Sequence, residues 1–194
     1  MRPNPRAFTL IELLIVVAII AILAAIAVPN FLEAQTRAKI SRVKSDLRTL
    51  ATGIESYAVD NSVYPLSDEL PQNFPGSPFN RITGGWMAYV GRISTPIAYV
   101  SSPPTDLFRK EDRFYGPGMN FYEYWKFERL NAFSPGAQAL FGDASQYLLW
   151  SWGPDEDSDG FQLTINVVYD PTNGTISDGN VMRSGPGGGS KADN

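Results

Sequence analysis

Glu12 is a single carboxylate set one helical turn inside the run Phe8-Thr9-Leu10-Ile11-Glu12-Leu13-Leu14-Ile15-Val16-Val17. A charge at the centre of a bilayer helix costs about 2.5–3.5 kcal/mol on insertion scales, so an acid kept near the end of such a helix marks a functional position. Its partner must be a cation. The bland alternative is that Glu12 only complements the positive end of its own helix, worth about 0.3–1 kcal/mol. A second acidic site is Asp155-Glu156-Asp157-Ser158-Asp159-Gly160. Alternate carboxylates with glycine at the sixth place match the opening of a calcium loop, because a hard cation gathers several oxygens and the chain must turn sharply around it. The twelfth place holds Asn166 rather than a bidentate Glu, so a solvated acidic turn is an equal reading. Most catalysis is excluded by composition: with no His and no Cys, there is no imidazole base, thiolate nucleophile or usual zinc site. A carboxylate pair such as Glu123 and Glu128 is formally open to glycoside hydrolysis, but reads as exposed charge.

The elements that must position these residues follow from periodicity. No charged side chain occurs from 13 to 32, a stretch that spans roughly 30 Å as a helix, one hydrocarbon core. Beyond it Ile40, Val43, Leu47, Leu50, Ile54 and Tyr57 recur at steps of three and four, one face of a continuing helix. The pattern predicts one helix over 8–58 with an apolar first half, an amphipathic second half and a kink at Pro29. From Pro65 onward short apolar or aromatic runs are divided by Pro and Gly, which predicts a compact domain with a small antiparallel sheet packed on that stripe: an α+β fold. Candidate strands are 87–90, 97–100, 146–152 and 179–182, with 161–169 ambiguous. Trp150, Trp152, Tyr89 and Tyr99 read as core aromatics rather than a carbohydrate platform. Residues 184–194, rich in glycine, read as a flexible tail, and their glycines do not sit in a strand-to-helix phosphate cradle.

Residues 6–29, Arg6-Ala7-Phe8-Thr9-Leu10-Ile11-Glu12 through Ala27-Val28-Pro29, resemble the class III signal of type IV pilins and type II secretion pseudopilins. The resemblance implies that a prepilin peptidase cuts between Ala7 and Phe8 and methylates the new amine. Glu12 then becomes the fifth mature residue and Pro29 the twenty-second, where the family keeps its Glu and its kinking Pro. The family's usual Gly before the cut is Ala7 here. The implied organisation is a leader 1–7, a transmembrane helix 8–32, an amphipathic helix 33–60, an exported pilin-like domain 61–183 and the tail 184–194. Cutting exposes an α-amine whose reference value of about 7.7–8.0 leaves it largely protonated. In a staggered bundle, Glu12 of one subunit can meet the ammonium at Phe8 of the next, and assembly neutralises both charges.

The C-terminal region, Tyr147 to Gly153 leading into the acidic loop, then Tyr169-Asp170-Pro171-Thr172-Asn173-Gly174-Thr175 and Ser177-Asp178-Gly179-Asn180-Val181, resembles that of the major, G-type pseudopilins, which is stapled by calcium. Many type IV pilins close this region with a disulfide, which a chain without Cys cannot form. The resemblance therefore implies structural Ca2+ held by Asp155, Asp157 and Asp159, with Asp170 and Asp178 as secondary candidates. It also implies a subunit of the bacterial inner membrane with its domain in the periplasm. Its partners would be copies of itself in a filament, the prepilin peptidase, an inner-membrane assembly platform and an ATPase that drives assembly.

Other readings stand beside this one. An ordinary secretory signal would be cut after Ala25-Ile26-Ala27 to start the chain at Val28, but Glu12 interrupts its apolar core and the helical pattern runs through the cut. A surface pilin or a DNA-uptake pseudopilin shares the architecture, and a signal-anchored calcium-binding protein that never polymerises is a different class. Arg37, Lys39, Arg42, Lys44 and Arg48 outnumber Arg2 and Arg6, so the positive-inside rule alone would keep the domain in the cytoplasm; only the resemblance overrules it. Glu33 and Asp46 are interspersed among these cations, which makes them a solvated or headgroup-facing helix surface and leaves no specific nucleic-acid partner expected.

Overall fold

The computed structural model describes residues 8–66, 88–109, 120–128, 141–142, 144–156, 169–170, 177 and 179–186. Its first element, α1 (Leu10–Asn61), takes 52 residues, about 78 Å at 1.5 Å per residue. Thr9 caps it in extended backbone, and Ser62 ends it in the left-handed region at φ 55°. Pro29 lies inside the helix, where its missing N–H leaves the Ala25 carbonyl without its usual donor. The apolar half is left uncovered by the described residues: its most apolar window is 0% buried. In the second half Ile40, Val43, Leu47, Leu50 and Ile54 are buried and Tyr57 packs at their edge. The stripe expected from spacing is therefore the face that meets the domain.

That face is covered by a three-stranded antiparallel sheet in the order β1 (Glu123–Lys126), β2 (Tyr147–Ser151), β3 (Val181–Gly185). Side chains alternate across it. Tyr124, Tyr147, Leu149 and Val181 join the helix stripe in one core, while Trp125, Leu148, Trp150 and Met182 join Phe127 and Phe141 in a second cluster. The α+β architecture expected from the sequence is the one observed.

Three local expectations are corrected. Residues 88–90 are not a strand but the start of α2 (Ala88–Ser94), a short helix that buries Tyr89, Val90 and Ile93. Residues 97–100 are a turn: Tyr99 N–H donates to the Ile97 carbonyl at 3.2 Å and Val100 N–H returns to the Ile93 carbonyl at 3.0 Å, so their hydrogen bonds close on α2 rather than on a neighbouring strand. β3 continues through Ser184 and Gly185, two residues into the stretch read as tail, whose positions 187–194 lie outside the described residues. Of the ambiguous 161–169, only Tyr169 is described, and it is irregular.

The core is aromatic, and five tyrosine hydroxyls in or beside it are hydrogen-bonded. Tyr147 and Tyr64 donate to the two oxygens of Glu55 at 2.9 and 3.0 Å, Tyr122 to Asp46 at 3.1 Å, Tyr89 to the Tyr122 carbonyl at 2.9 Å and Tyr124 to the Pro65 carbonyl at 2.9 Å. Burial, reinforced by Glu55, pushes the Tyr64 hydroxyl up to about 12. Gly185 lies opposite Tyr147 in the register, and a methyl there would come within 2.2 Å of the Tyr147 ring. Because that ring is fixed between Tyr64 and Tyr124, Gly185→Ala is expected to cost about 1–3 kcal/mol by overpacking. Denaturant unfolding of the purified chain measures this, and an unchanged midpoint would show that the ring yields freely.

Candidate functional site

Helix α1 opens with a reciprocal cap. The Thr9 N–H and hydroxyl donate to Glu12 Oε2 at 2.9 and 2.7 Å, and the Glu12 N–H donates to Thr9 Oγ1 at 3.3 Å. This is a capping box, so the local role of Glu12 at its own helix end is present in the single chain. Both bonds fall on Oε2, and Oε1 has no partner among the described residues. Phe8, the residue just before the cap, is 73% exposed; Ala7 lies outside the described residues. The carboxylate thus stands in the first turn of an exposed apolar helix, hydrogen-bonded to the N–H of Thr9, one residue after the Phe8 nitrogen that a cut before Phe8 would convert to an amine.

The acidic C-terminal turns gather around 177–180. Gly153 adopts φ 82°, and a methyl on it would lie 2.1 Å from the Gly179 carbonyl oxygen; only glycine lets the turn press against that backbone. Glu156 N–H closes the turn on the Gly153 carbonyl at 3.1 Å. From the other side, Tyr169 N–H donates to the Asn180 carbonyl at 3.0 Å and Asp170 N–H to Ser177 Oγ at 2.8 Å. The segments that carry Asp155 and Asp170 are therefore tied to one stretch of backbone. Asp157, Asp159 and Asp178 lie outside the described residues, and among the described residues no three His, Cys, Asp or Glu side chains form a metal-sized group. Gly153→Ala is expected to cost about 1–3 kcal/mol, from strain at positive φ and the clash with Gly179, measurable as a lowered unfolding midpoint.

Above this turn lies a buried polar network that the sequence did not disclose. Arg109 Nη1 donates to Glu123 Oε1 at 3.3 Å, with the arginine side chain fully buried and the glutamate nearly so. Trp152 Nε1 donates to the same Glu123 oxygen at 2.9 Å, and the Arg109 guanidinium stacks 4.8 Å from the Trp152 ring. Asp106 Oδ1 accepts from Ser151 Oγ at 2.6 Å and from Phe108 N–H at 3.0 Å, while Oδ2 accepts from Trp152 N–H at 3.1 Å. Burial holds the Asp106 carboxyl above the usual range against the opposing pull of those donors and of Arg109. The expectation that Glu123 is exposed is corrected: a cation 14 residues away in sequence pairs with it, and no local pattern signals such a partner. Glu128 is 85% exposed and pairs with Lys126, so the two glutamates flank no common cleft. Trp150 is buried, and Trp152 is half-buried beneath Arg109, so neither presents an open stacking face.

A long helix, bare and apolar in its first half, packed in its second half on a small antiparallel sheet and capped by a first-turn glutamate, defines a pilin-like protein. Residues 2–28 match the prokaryotic N-terminal methylation motif. The chain is similar to the type IV major pilin protein PilA of Myxococcus xanthus, 53% identical over 63 residues, 32% of this chain and 29% of that protein. It is similar to the type II secretion system core protein G of Pseudomonas aeruginosa, 37% identical over 68 residues, 35% of this chain and 48% of that one. The type IV wide pilus major component PilA4 of Thermus thermophilus is 51% identical over 61 residues, 31% of this chain and 47% of its own. The match thus spans less than half the length of each of these curated relatives. No solved structure matches the chain. Over about a third of its length this chain is similar to type IV pilins and type II secretion pseudopilins, and residues 2–28 carry their N-terminal methylation motif. The relatives are named as pilins and a secretion-system core protein, none as an enzyme.

Proposed function

We propose that this protein is a pseudopilin: a subunit held in the bacterial inner membrane by α1, with its domain in the periplasm, trimmed between Ala7 and Phe8 by a prepilin peptidase. It then assembles helix to helix into a periplasmic filament that drives type II protein secretion. The observation that carries this reading is a capped carboxylate, Glu12, on a helix half that the described residues leave uncovered. Lipid covers that half before assembly and neighbouring α1 helices cover it afterwards. Pro29 adjusts the helix near the outer edge of the apolar span, an inner-membrane platform receives the subunit, and an ATPase supplies the energy. No step requires catalysis by this chain.

Intact mass of the membrane-extracted protein tests the processing step. A chain beginning at Phe8 with one added methyl is the expected result; a start at Val28 would mean ordinary secretion, and an untrimmed Met1 would rule out peptidase processing. A surface type IV pilus is the second reading, favoured by the 53% identity to the Myxococcus pilin over 63 residues. Deletion separates the two: loss of exported enzymes with surface fibres intact supports the secretion role, and the reverse supports the pilus.

Ca2+ belongs to the same proposal, with Asp155, Asp157 and Asp159, helped by Asp170 and Asp178, closing turns that no disulfide can staple. The ion would supply binding energy realised only in the folded state. Calcium is expected to raise the unfolding midpoint of the full chain and a chelator to lower it, with Asp155→Asn blunting both effects. An identical midpoint with calcium or chelator would remove the metal from the account.

A further inference from the structure

The cations that follow the apolar run have no part in the filament reading, and they run against the tendency of positive charge to stay on the uncrossed side of a membrane. Arg37 and Lys39 are exposed. They lie about 8 and 10 Å beyond Leu32 along the helix axis at 1.5 Å per residue, just past a headgroup layer roughly 5–7 Å thick. Long basic side chains reach back across such a gap. Parts of the globular domain descend to the same level. Lys39 Nζ stands 5.8 Å from the centroid of the Phe108 ring. Leu107, beside it, is 47% exposed although its neighbours Asp106 and Phe108 are buried. Tyr169 lies near enough to the first turn past the apolar run for Arg37 and Glu33 both to act on its hydroxyl. The base of the domain thus sets the exposed cations Arg37 and Lys39 and the exposed Leu107 at the height where the helix leaves lipid.

The charge of the chain is polarised along the same axis. Without the leader, residues 8–50 carry a net +2 and residues 51–194 a net −8. We propose that this base is a docking surface for anionic phospholipid headgroups, with Arg37 and Lys39 on the phosphates and Leu107 at the acyl boundary. The proposal rests on the membrane-inserted reading of α1. It gives the outward-facing cations a ligand and seats the domain on the leaflet from which it emerges. Among the described residues the opposing charges at this level are Glu33, whose solvent-exposed pair with Arg37 is worth little and can give way to a phosphate, and Asp170, half-buried with its N–H on Ser177. Lys44 and Arg48 stand about 18 and 24 Å past Leu32 by the same rise, beyond a Debye length of about 8 Å from the headgroups.

A chain without cysteine accepts a single label. The full-length trimmed protein carrying Leu107→Cys with a polarity-sensitive fluorophore is placed in phosphatidylcholine vesicles with or without phosphatidylglycerol. A lipid quencher sits at headgroup depth. Quenching several-fold stronger with phosphatidylglycerol, returned to the phosphatidylcholine level by high salt or by Arg37→Gln with Lys39→Gln, is the expected result. A second label at Ala21→Cys, read with a quencher deep in the acyl chains, reports insertion independently. Ala21 quenched and Leu107 unquenched in anionic vesicles would overturn the docking surface and leave the anchor standing. Ala21 unquenched would overturn the inserted helix and the docking with it. Leu107 quenching indifferent to phosphatidylglycerol, salt and the double variant would show contact with something other than headgroup charge, such as a neighbouring subunit, and would also overturn the proposal.

Discussion

A chain carrying Glu12→Ala is expected to insert and to be trimmed like the wild type, yet to be missing from filaments sheared off cells and retained wholly in the membrane fraction. The magnitude follows from where the charge lies. A lone carboxylate in a membrane helix costs about 2.5–3.5 kcal/mol, and pairing it with the Phe8 ammonium of a neighbour relieves that cost for both groups. At 1.4 kcal/mol per tenfold change, about 3 kcal/mol is more than a hundredfold in each subunit addition, repeated at every step of growth. The cap seen in the single chain offers a smaller rival explanation. Thr9 and Glu12 satisfy each other, and loss of such a cap costs about 0.5–2 kcal/mol of helix stability without touching intersubunit charge. Two further variants separate the effects. Thr9→Val removes the capping hydroxyl but keeps the carboxylate, and should still assemble. Glu12→Gln keeps a hydrogen-bonding side chain but removes the charge, and should fail as alanine does. If Thr9→Val and Glu12→Ala fail alike, or Glu12→Gln polymerises normally, the carboxylate acts only within its own helix.

What could be read without coordinates is what depends on near neighbours in the chain. Ile40, Val43, Leu47, Leu50 and Ile54 announce their buried face because a helix brings residues three and four apart together, and every one of them is buried. β2 is legible for a similar reason, since Tyr147-Leu148-Leu149-Trp150 is an uninterrupted apolar and aromatic run, buried along its length. The failures come where a distant partner decides. Tyr89 and Val90 have side chains that suit a strand, yet with Ile93 they form one face of α2 because the core offers a site for a short helix. β1 is hidden by Glu123 and Lys126 at its two ends, and the first of these is buried only because Arg109 arrives from another loop. Helix α1 runs three residues past the expected end, to Asn61, where Tyr99 donates to Asp60 at 3.0 Å and accepts from Asn61. At the candidate site, Glu12 was legible because one acid in an apolar run is conspicuous. The pressing of Gly153 against Gly179 was not, because glycine in a turn does not name what it will touch.

Arg109→Ala is expected to have the largest effect on stability of any single change in the domain, a loss of about 3–5 kcal/mol, because it leaves Glu123 as an uncompensated buried charge. Against a typical total of about 5–15 kcal/mol that fraction is large, and an unfolding midpoint of the detergent-solubilised chain will register it. Replacing both partners with leucine should restore much of the loss, since a buried pair exchanged for apolar side chains is often neutral. A single variant that costs less than about 1 kcal/mol, the value of an exposed pair, would mean that water reaches Glu123. The effect should also travel. Glu123 holds the Trp152 indole, and Asp106 holds the Ser151 hydroxyl and the Trp152 N–H, so this network fixes the exit of β2 into the Gly153 turn and Asp155. Loosening it should blunt any calcium response even where the fold survives. Asp106 sets the direction with pH. Its carboxyl titrates above the usual range in the folded chain, so its contribution is fully present below the unfolded value and lost as pH rises through the folded one. Mild acid therefore does not weaken this corner through Asp106, and an acid-induced loss of the turn would have to come from other carboxylates.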